Sequence, residues 1–148
     1  VVVYRHSVIF NAPIKFVYEW CTDYREDDPQ ITGASHRRII LDKTNRRAIY
    51  ASSKTGSDGK TKLAVRIVTL FPSKYAWDLD YVAEEDLERG EYRLKKLGKE
   101  KTRLEMVFRN KWKNGKGPSR AEFEAATKAS WDAYASALER DYSNNNKF

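Results

Sequence analysis

A single cysteine, Cys21, leaves this chain of 148 residues without an internal disulfide. The fold must therefore stand on packing alone, and a reducing, cytoplasmic compartment is the expectation. Cys21 itself reads as a small buried hydrophobe on a helix rather than as a reactive thiol. Histidine is nearly as scarce, with two residues, and neither G-x-S-x-G nor H-E-x-x-H occurs. No positioned nucleophile, metal set or paired carboxylate is legible, so no catalytic residue, metal or cofactor is expected. No apolar run approaches the roughly eighteen residues that span a bilayer. The first ten residues, VVVYRHSVIF, alternate like a strand and lack the apolar core and cleavage site of a signal peptide. Membrane insertion is not expected, although a transient membrane contact stays open. Internal repeats, linkers and low-complexity tracts are also missing, apart from a frayed tail over 143–148.

What is present fits one domain over residues 1–148, long enough for a substantial core. Lysine and arginine number 28 against 21 acidic residues, a net charge of +7. Such a balance suits nucleic acid or an acidic membrane surface. The positions argue for a solvated surface instead. Lys54, Lys60 and Lys62 surround one expected turn, and Lys95, Lys96, Lys99 and Lys101 another, where lysines discourage edge-to-edge strand pairing. The densest acidic group, Asp23, Glu26, Asp27 and Asp28, matches no cation-binding loop. With Arg37, Arg38, Arg46 and Arg47 available, it reads as ion pairing or helix capping.

Residues 2–10 predict a strand, and Asn11-Ala12-Pro13 opens a short helix carrying Ile14, Val17, Tyr18 and Cys21 at helical spacing. The polar stretch 22–35 has room for a second short helix around Tyr24–Asp28. From His36 to Trp112 the chain reads as six strands divided by turn signals. Pro118 and Ser119 then start a long helix, Ser119 as N-cap with Glu122 three residues on. At 100° per residue, Phe123, Thr127, Ser130, Trp131, Tyr134, Ala137 and Leu138 share a face. That stripe mixes large aromatics with Ala, Ser and Thr, so it can leave space beside it. It is expected to wall a pocket.

This order of elements, with NAPIKFVYEW after the first strand, the segment CTDYREDDPQITG and the strand pair ending at Trp112, resembles the START and Bet v 1-like superfamily. That superfamily includes polyketide cyclases and lipid-transfer proteins. The resemblance implies an α+β helix-grip fold: a curved seven-stranded antiparallel sheet around a long C-terminal helix, with one or two short helices after the first strand. It also implies a cavity for an apolar ligand, while leaving the function open. The Gly-rich loop of plant Bet v 1 relatives is represented only by residues 53–61, read here as a hairpin turn without phosphate binding.

Even spacing on the strands nominates Trp77, Leu79, Tyr81 and Tyr92, then Leu94, Leu104, Met106 and Phe108, as cavity surface. Phe123, Thr127, Trp131 and Tyr134 would close the cavity from the helix, with Trp131 reporting on ligand. The rival reading is that all of these pack together as core. His6 shares parity with Tyr4, Val8 and Phe10 and reads as an inward structural histidine; His36 reads as exposed. Arg66 has the parity opposite to Leu63, Val65 and Ile67, which predicts that it faces solvent. With the register reversed it becomes the strongest charged anchor in the cavity. Trp77 and Tyr81 lie on the apolar face that the helix covers, so nucleic acid is not an expected partner. The function expected is non-catalytic binding or transport of a small hydrophobic ligand, lipid-, aromatic- or polyketide-like. The competing class is a cyclase or aromatase using His6 or Arg66.

Overall fold

A computed structural model describes residues 1–34, 37–55, 59–115 and 117–145. His36, and Gly56 and Asp58 of the expected hairpin turn, lie outside the described residues. Strand β1 (Val2–Phe10) is followed by helix α1 (Ile14–Cys21) and a 3₁₀ turn over Asp28–Thr32. Six strands then run in succession: β2 (Ile39–Lys43), β3 (Arg47–Thr55), β4 (Thr61–Phe71), β5 (Ala76–Val82), β6 (Asp86–Gly98) and β7 (Lys101–Trp112). Helix α2 (Arg120–Asn145) ends the described chain.

Among the described residues the strands form one antiparallel sheet in the order β1-β7-β6-β5-β4-β3-β2. Each strand from β2 to β7 pairs with the next, and β1 closes beside β7. Local chemistry sets the turns. The Thr44 hydroxyl accepts the N–H groups of Arg46 and Arg47 at 3.1 Å, which tightens the β2–β3 connection. Pro72 opens the 3₁₀ turn between β4 and β5, and Tyr75 ends it with φ of 48°.

Alternation along the strands divides the sheet into two faces. Tyr4 and Phe10 of β1 point inward, as do Leu104, Met106 and Phe108 of β7, and all are buried. Helix α2 lies across this face, with Ala137 and Leu138 buried and Phe123 stacked on Tyr4 at 4.0 Å. Ser119 caps it as the sequence predicts, its hydroxyl accepting the Glu122 N–H at 3.2 Å. Further along, Glu139 accepts the Asn11 N–H and Asp141 accepts the Trp20 indole N–H, both at 2.8 Å. These bonds tie the C-terminal end of α2 to Asn11 and to α1, and the Phe123 stack on Tyr4 holds its start, so its angle across the sheet is fixed at both ends. The architecture is the helix-grip fold. No helix among the described residues is long and apolar enough to cross a membrane.

Two local expectations change. The short helix around Tyr24–Asp28 is replaced by the 3₁₀ turn at Asp28–Thr32, which Pro29 starts and Gly33 ends at φ of 84°. Strand β4 faces the other way: Ala64, Val68 and Leu70 are buried against the core, while Leu63 and Ile67 are exposed. The pairing with β5 dictates this, because Leu70 stands opposite Trp77 and Val68 opposite Leu79. Arg66 therefore points inward.

Candidate functional site

Between the sheet and α2 lies a cavity of about 480 Å³. It opens where the inner face runs out of bulk. Ser52 and Ala64 are small, and Gly90 carries no side chain at all. A Cβ at Gly90 would sit 2.7 Å from the Tyr92 ring, so glycine lets that ring lie flat along β6. Tyr92 then stacks on Trp77 with ring centres 5.1 Å apart and planes 8° from parallel. Trp131 and Tyr134 of α2 form the opposite wall, their rings 5.0 Å apart. The segment before β2 covers the side, through Tyr24, Pro29 and Ile31. Tyr24 is buried with φ of 42°, a left-handed conformation that an aromatic residue adopts only when its surroundings hold it there.

A polar row crosses the floor. Tyr50, Arg66, Tyr81 and Glu88 stand directly opposite one another on β3, β4, β5 and β6, and all four line the cavity. The Arg66 guanidinium donates to the Ser52 hydroxyl and lies 4.7 Å from the Tyr81 ring centre and 5.8 Å from that of Tyr50. Arg38 approaches Tyr50 as well, at 4.6 Å, and Tyr24 at 5.7 Å. The two cations differ in one respect. Arg38 is paired with Asp28 at 2.6 Å, whereas no carboxylate among the described residues pairs with Arg66.

Burial raises the hydroxyl pKa of five lining tyrosines. It pushes Tyr24 and Tyr92 well above the usual value and raises Tyr50, Tyr81 and Tyr134. The guanidiniums oppose this at Tyr50 without reversing it. All five stay protonated near neutral pH, as hydrogen-bond donors and acceptors without charge. The Cys21 thiol at the wall is also pushed up, by burial first and then by Asp23 and Asp28, which keeps it in the unreactive protonated form. The acidic cluster is interlaced with arginine: Arg25 reaches Asp23 at 3.3 Å and Asp28 at 3.5 Å, and Arg37 reaches Glu26 at 3.4 Å.

Of the residues the sequence nominates, Trp77, Leu79, Tyr81, Tyr92, Trp131 and Tyr134 come together around the cavity. Leu94, Leu104, Met106 and Phe108 are buried in the core beyond it. Phe123 packs on Tyr4 and Phe108 at the start of α2, and Thr127 is half-buried on the same helix face without reaching the cavity. His6 shares the inward parity of Tyr4, opposite Met106, but does not line the space. The sequence reading missed Tyr24, Arg38, Tyr50 and Glu88. For Tyr50 a signal existed, since Ala48, Tyr50 and Ser52 alternate with Arg47 and Ile49 in the manner of an inward set.

No protein-family model matches the chain, and no curated protein matches it. Solved structures do. The Zhui aromatase/cyclase from Streptomyces sp. R1128 aligns with a TM-score of 0.72 at 17% identity, covering 95% of this chain and 92% of that one. Ara h 8.0201, a Bet v 1 protein, aligns at 0.70 and 11% identity over 93% and 97%. A START superfamily protein from Mycobacterium smegmatis gives 0.66 and 14% over 94% and 95%. The fold is START/Bet v 1-like, one shared by polyketide cyclases and by ligand-binding proteins.

Proposed function

We propose that this protein binds a small hydrophobic molecule in the cavity, aromatic in body and carrying an acidic oxygen that Arg66 holds. The observation that carries this reading is a guanidinium facing an aromatic-walled space without a carboxylate partner among the described residues. A cation in such surroundings gains most from an anionic ligand, because both charges are partly desolvated. Trp77, Tyr92 and Trp131 offer ring faces and edges for a flat body. The volume lies within the usual range for small-molecule sites. A simple acyl chain fits less well than an oxygen-rich aromatic, since it leaves five phenols without new partners. A cytoplasmic setting belongs to the same reading, resting on the single cysteine, and the helix-covered aromatic face leaves nucleic acid no platform.

The test is a titration followed by tryptophan fluorescence, using anthracene carboxylic acid and its primary amide. The acid should bind at least about tenfold more tightly than the amide, the equivalent of roughly one charged hydrogen bond. Equal affinity would remove the acidic oxygen from the proposal. Native mass spectrometry of freshly purified protein then supplies the mass of any ligand carried along.

The inward Arg66 also favours a second reading, an aromatase/cyclase-type enzyme in which the guanidinium stabilises an enolate oxygen. Ring closure of a linear poly-β-ketone in the presence of the protein, lost in Arg66→Met, is the outcome that would move the assignment to that class.

A further inference from the structure

The sheet face turned away from α2 carries an apolar stripe. Ile39, Ala51, Val65, Val82 and Leu87 stand directly opposite one another on β2 through β6. At a strand spacing of about 4.8 Å the row is roughly 19 Å long. Ile67 widens it on β4. Ile39, Val82 and Leu87 are 59%, 46% and 49% exposed, in a chain where one residue in three is charged. Scattered exposed leucines need no explanation, but a continuous row across five strands does.

We propose that this stripe is the interface of a two-fold symmetric homodimer, packed sheet against sheet. The border of the stripe argues for a second copy over other partners. Along its sides the charges are matched within the chain, Arg47 on Asp42 at 2.6 Å and Arg89 on Asp80 at 2.9 Å, which leaves Lys111, opposite Leu87 on β7, as a single cation at one end. An acidic bilayer surface needs cations there that are free to meet it, and would face these carboxylates. A copy of the same face brings an identical apolar row flanked by the same matched pairs, and a two-fold axis through the middle of the row keeps the two end lysines apart. Size points the same way. With Ile39, Val82, Leu87 and Ile67 partly open and Ala51 and Val65 half-buried between them, the apolar surface is a few hundred Å² per copy, so two copies with their rims reach roughly the 1,000 Å² that a specific interface must clear. A row of this kind is self-complementary about a two-fold axis, and twisted sheets stack face to face about 10 Å apart.

The stripe also lies directly behind the polar row of the cavity. Ala51 follows Tyr50, Val65 precedes Arg66, Val82 follows Tyr81 and Leu87 precedes Glu88. The seam would therefore brace the strands that present Arg66, although the dimer does not depend on any ligand being bound.

Sedimentation velocity across a range of protein concentrations tests the proposal, using the intact protein and the variants Val82→Lys and Leu87→Glu. The parent should sediment as a dimer, and each variant should raise the dimer dissociation constant at least about tenfold with an unchanged near-ultraviolet circular dichroism spectrum. A parent that stays monomeric into the high micromolar range would overturn the proposal. So would a dimer that persists unchanged in both variants, or a monomeric parent that binds phosphatidylserine vesicles through Val82. If a charged variant fails to fold, Val82→Thr with Leu87→Gln decides by the same shift in dissociation constant.

Discussion

Replacing Arg66 by methionine separates a ligand anchor from a structural cation, because the two roles predict opposite results. In the ligand-free protein the guanidinium holds one hydrogen bond to Ser52 and two ring contacts, to Tyr50 and Tyr81. A charged hydrogen bond is worth about 1.5 kcal/mol, and each ring contact about 0.5–1 kcal/mol at a partly exposed site. Against this stands the cost of keeping a cation half out of water with no carboxylate partner among the described residues, itself a few kcal/mol. Methionine relieves that cost and fills similar volume. Arg66→Met should therefore leave the stability of the empty protein within about 1 kcal/mol of the parent. Ligand affinity should respond differently. Losing the partner of a partly desolvated carboxylate costs about 2–4 kcal/mol, which weakens binding roughly 30- to 1,000-fold. The neutral amide should lose far less. Arg66→Lys should fall between, since it keeps the charge but not the planar fork or its stacking. Chemical denaturation of the empty proteins and fluorescence titration with acid and amide supply both numbers. A variant destabilised by more than about 2 kcal/mol that binds the acid as well as the parent does would refute the reasoning, and Arg66 would then be a structural clamp between β3 and β5.

Trp131 lies half-buried at the cavity wall, with ring contacts to Phe10, Tyr92 and Tyr134. Trp131→Ala should cost less in the empty protein than the roughly 3–5 kcal/mol of a core truncation, and more once a stabilising ligand is added; equal losses in thermal unfolding with and without ligand would make Trp131 ordinary core. Burial, then the charge of Asp28, raises the Asp23 pKa from 3.8 to about 6 against the pull of Arg25, Lys43 and Arg38. A carboxyl whose folded pKa is raised contributes stability in its protonated state, present below the unfolded value and lost as pH climbs through the folded one. The stability of the parent relative to Asp23→Asn should thus fall between about pH 4 and pH 6, and a flat or rising difference in urea titrations across that window would contradict the assignment.

Much of the fold was legible because its signals are local. Turn residues punctuate the chain from 42 to 118, Pro13 and Ser119 mark helix starts, and the 100° stripe of α2 places Trp131 and Tyr134 on the wall they occupy. Parity identifies a face, but it does not say where along the strand the space lies. Leu94 and Leu104 share a face with Tyr92 and Met106, yet α1 packs on that end of β6 and β7 and fills it. The cavity survives where Ser52 and Ala64 leave room, and residues so small carry too weak an apolar signal for a pattern to find. The cover supplied by Tyr24 and Arg38 comes from irregular chain, where periodicity is silent.

Strand β4 defeated the pattern for a physical reason that bears on the whole molecule. Its two faces are almost equally apolar, Leu63, Val65 and Ile67 against Ala64, Val68 and Leu70, so hydrophobicity alone cannot orient it. The hairpin can. With Leu70 opposite Trp77, carrying the register back along the pair puts Arg66 opposite Tyr81 and turns it inward. That step needs only the turn at 72–75 and the alternation of β5. A strand that is apolar on both faces is ordinary where both faces are covered and costly where one is bare. Here the inner face of β4 lines the cavity under α2, and among the described residues the other face is bare, where Leu63 and Ile67 stand exposed. The residues that made Arg66 look solvent-facing are therefore the outer face of the strand, beside the row to which a second copy is assigned. One sequence feature, a doubly apolar β4, accounts for the misread cation and for the proposed dimer, and removing the outer apolar set by substitution should leave the inner site intact.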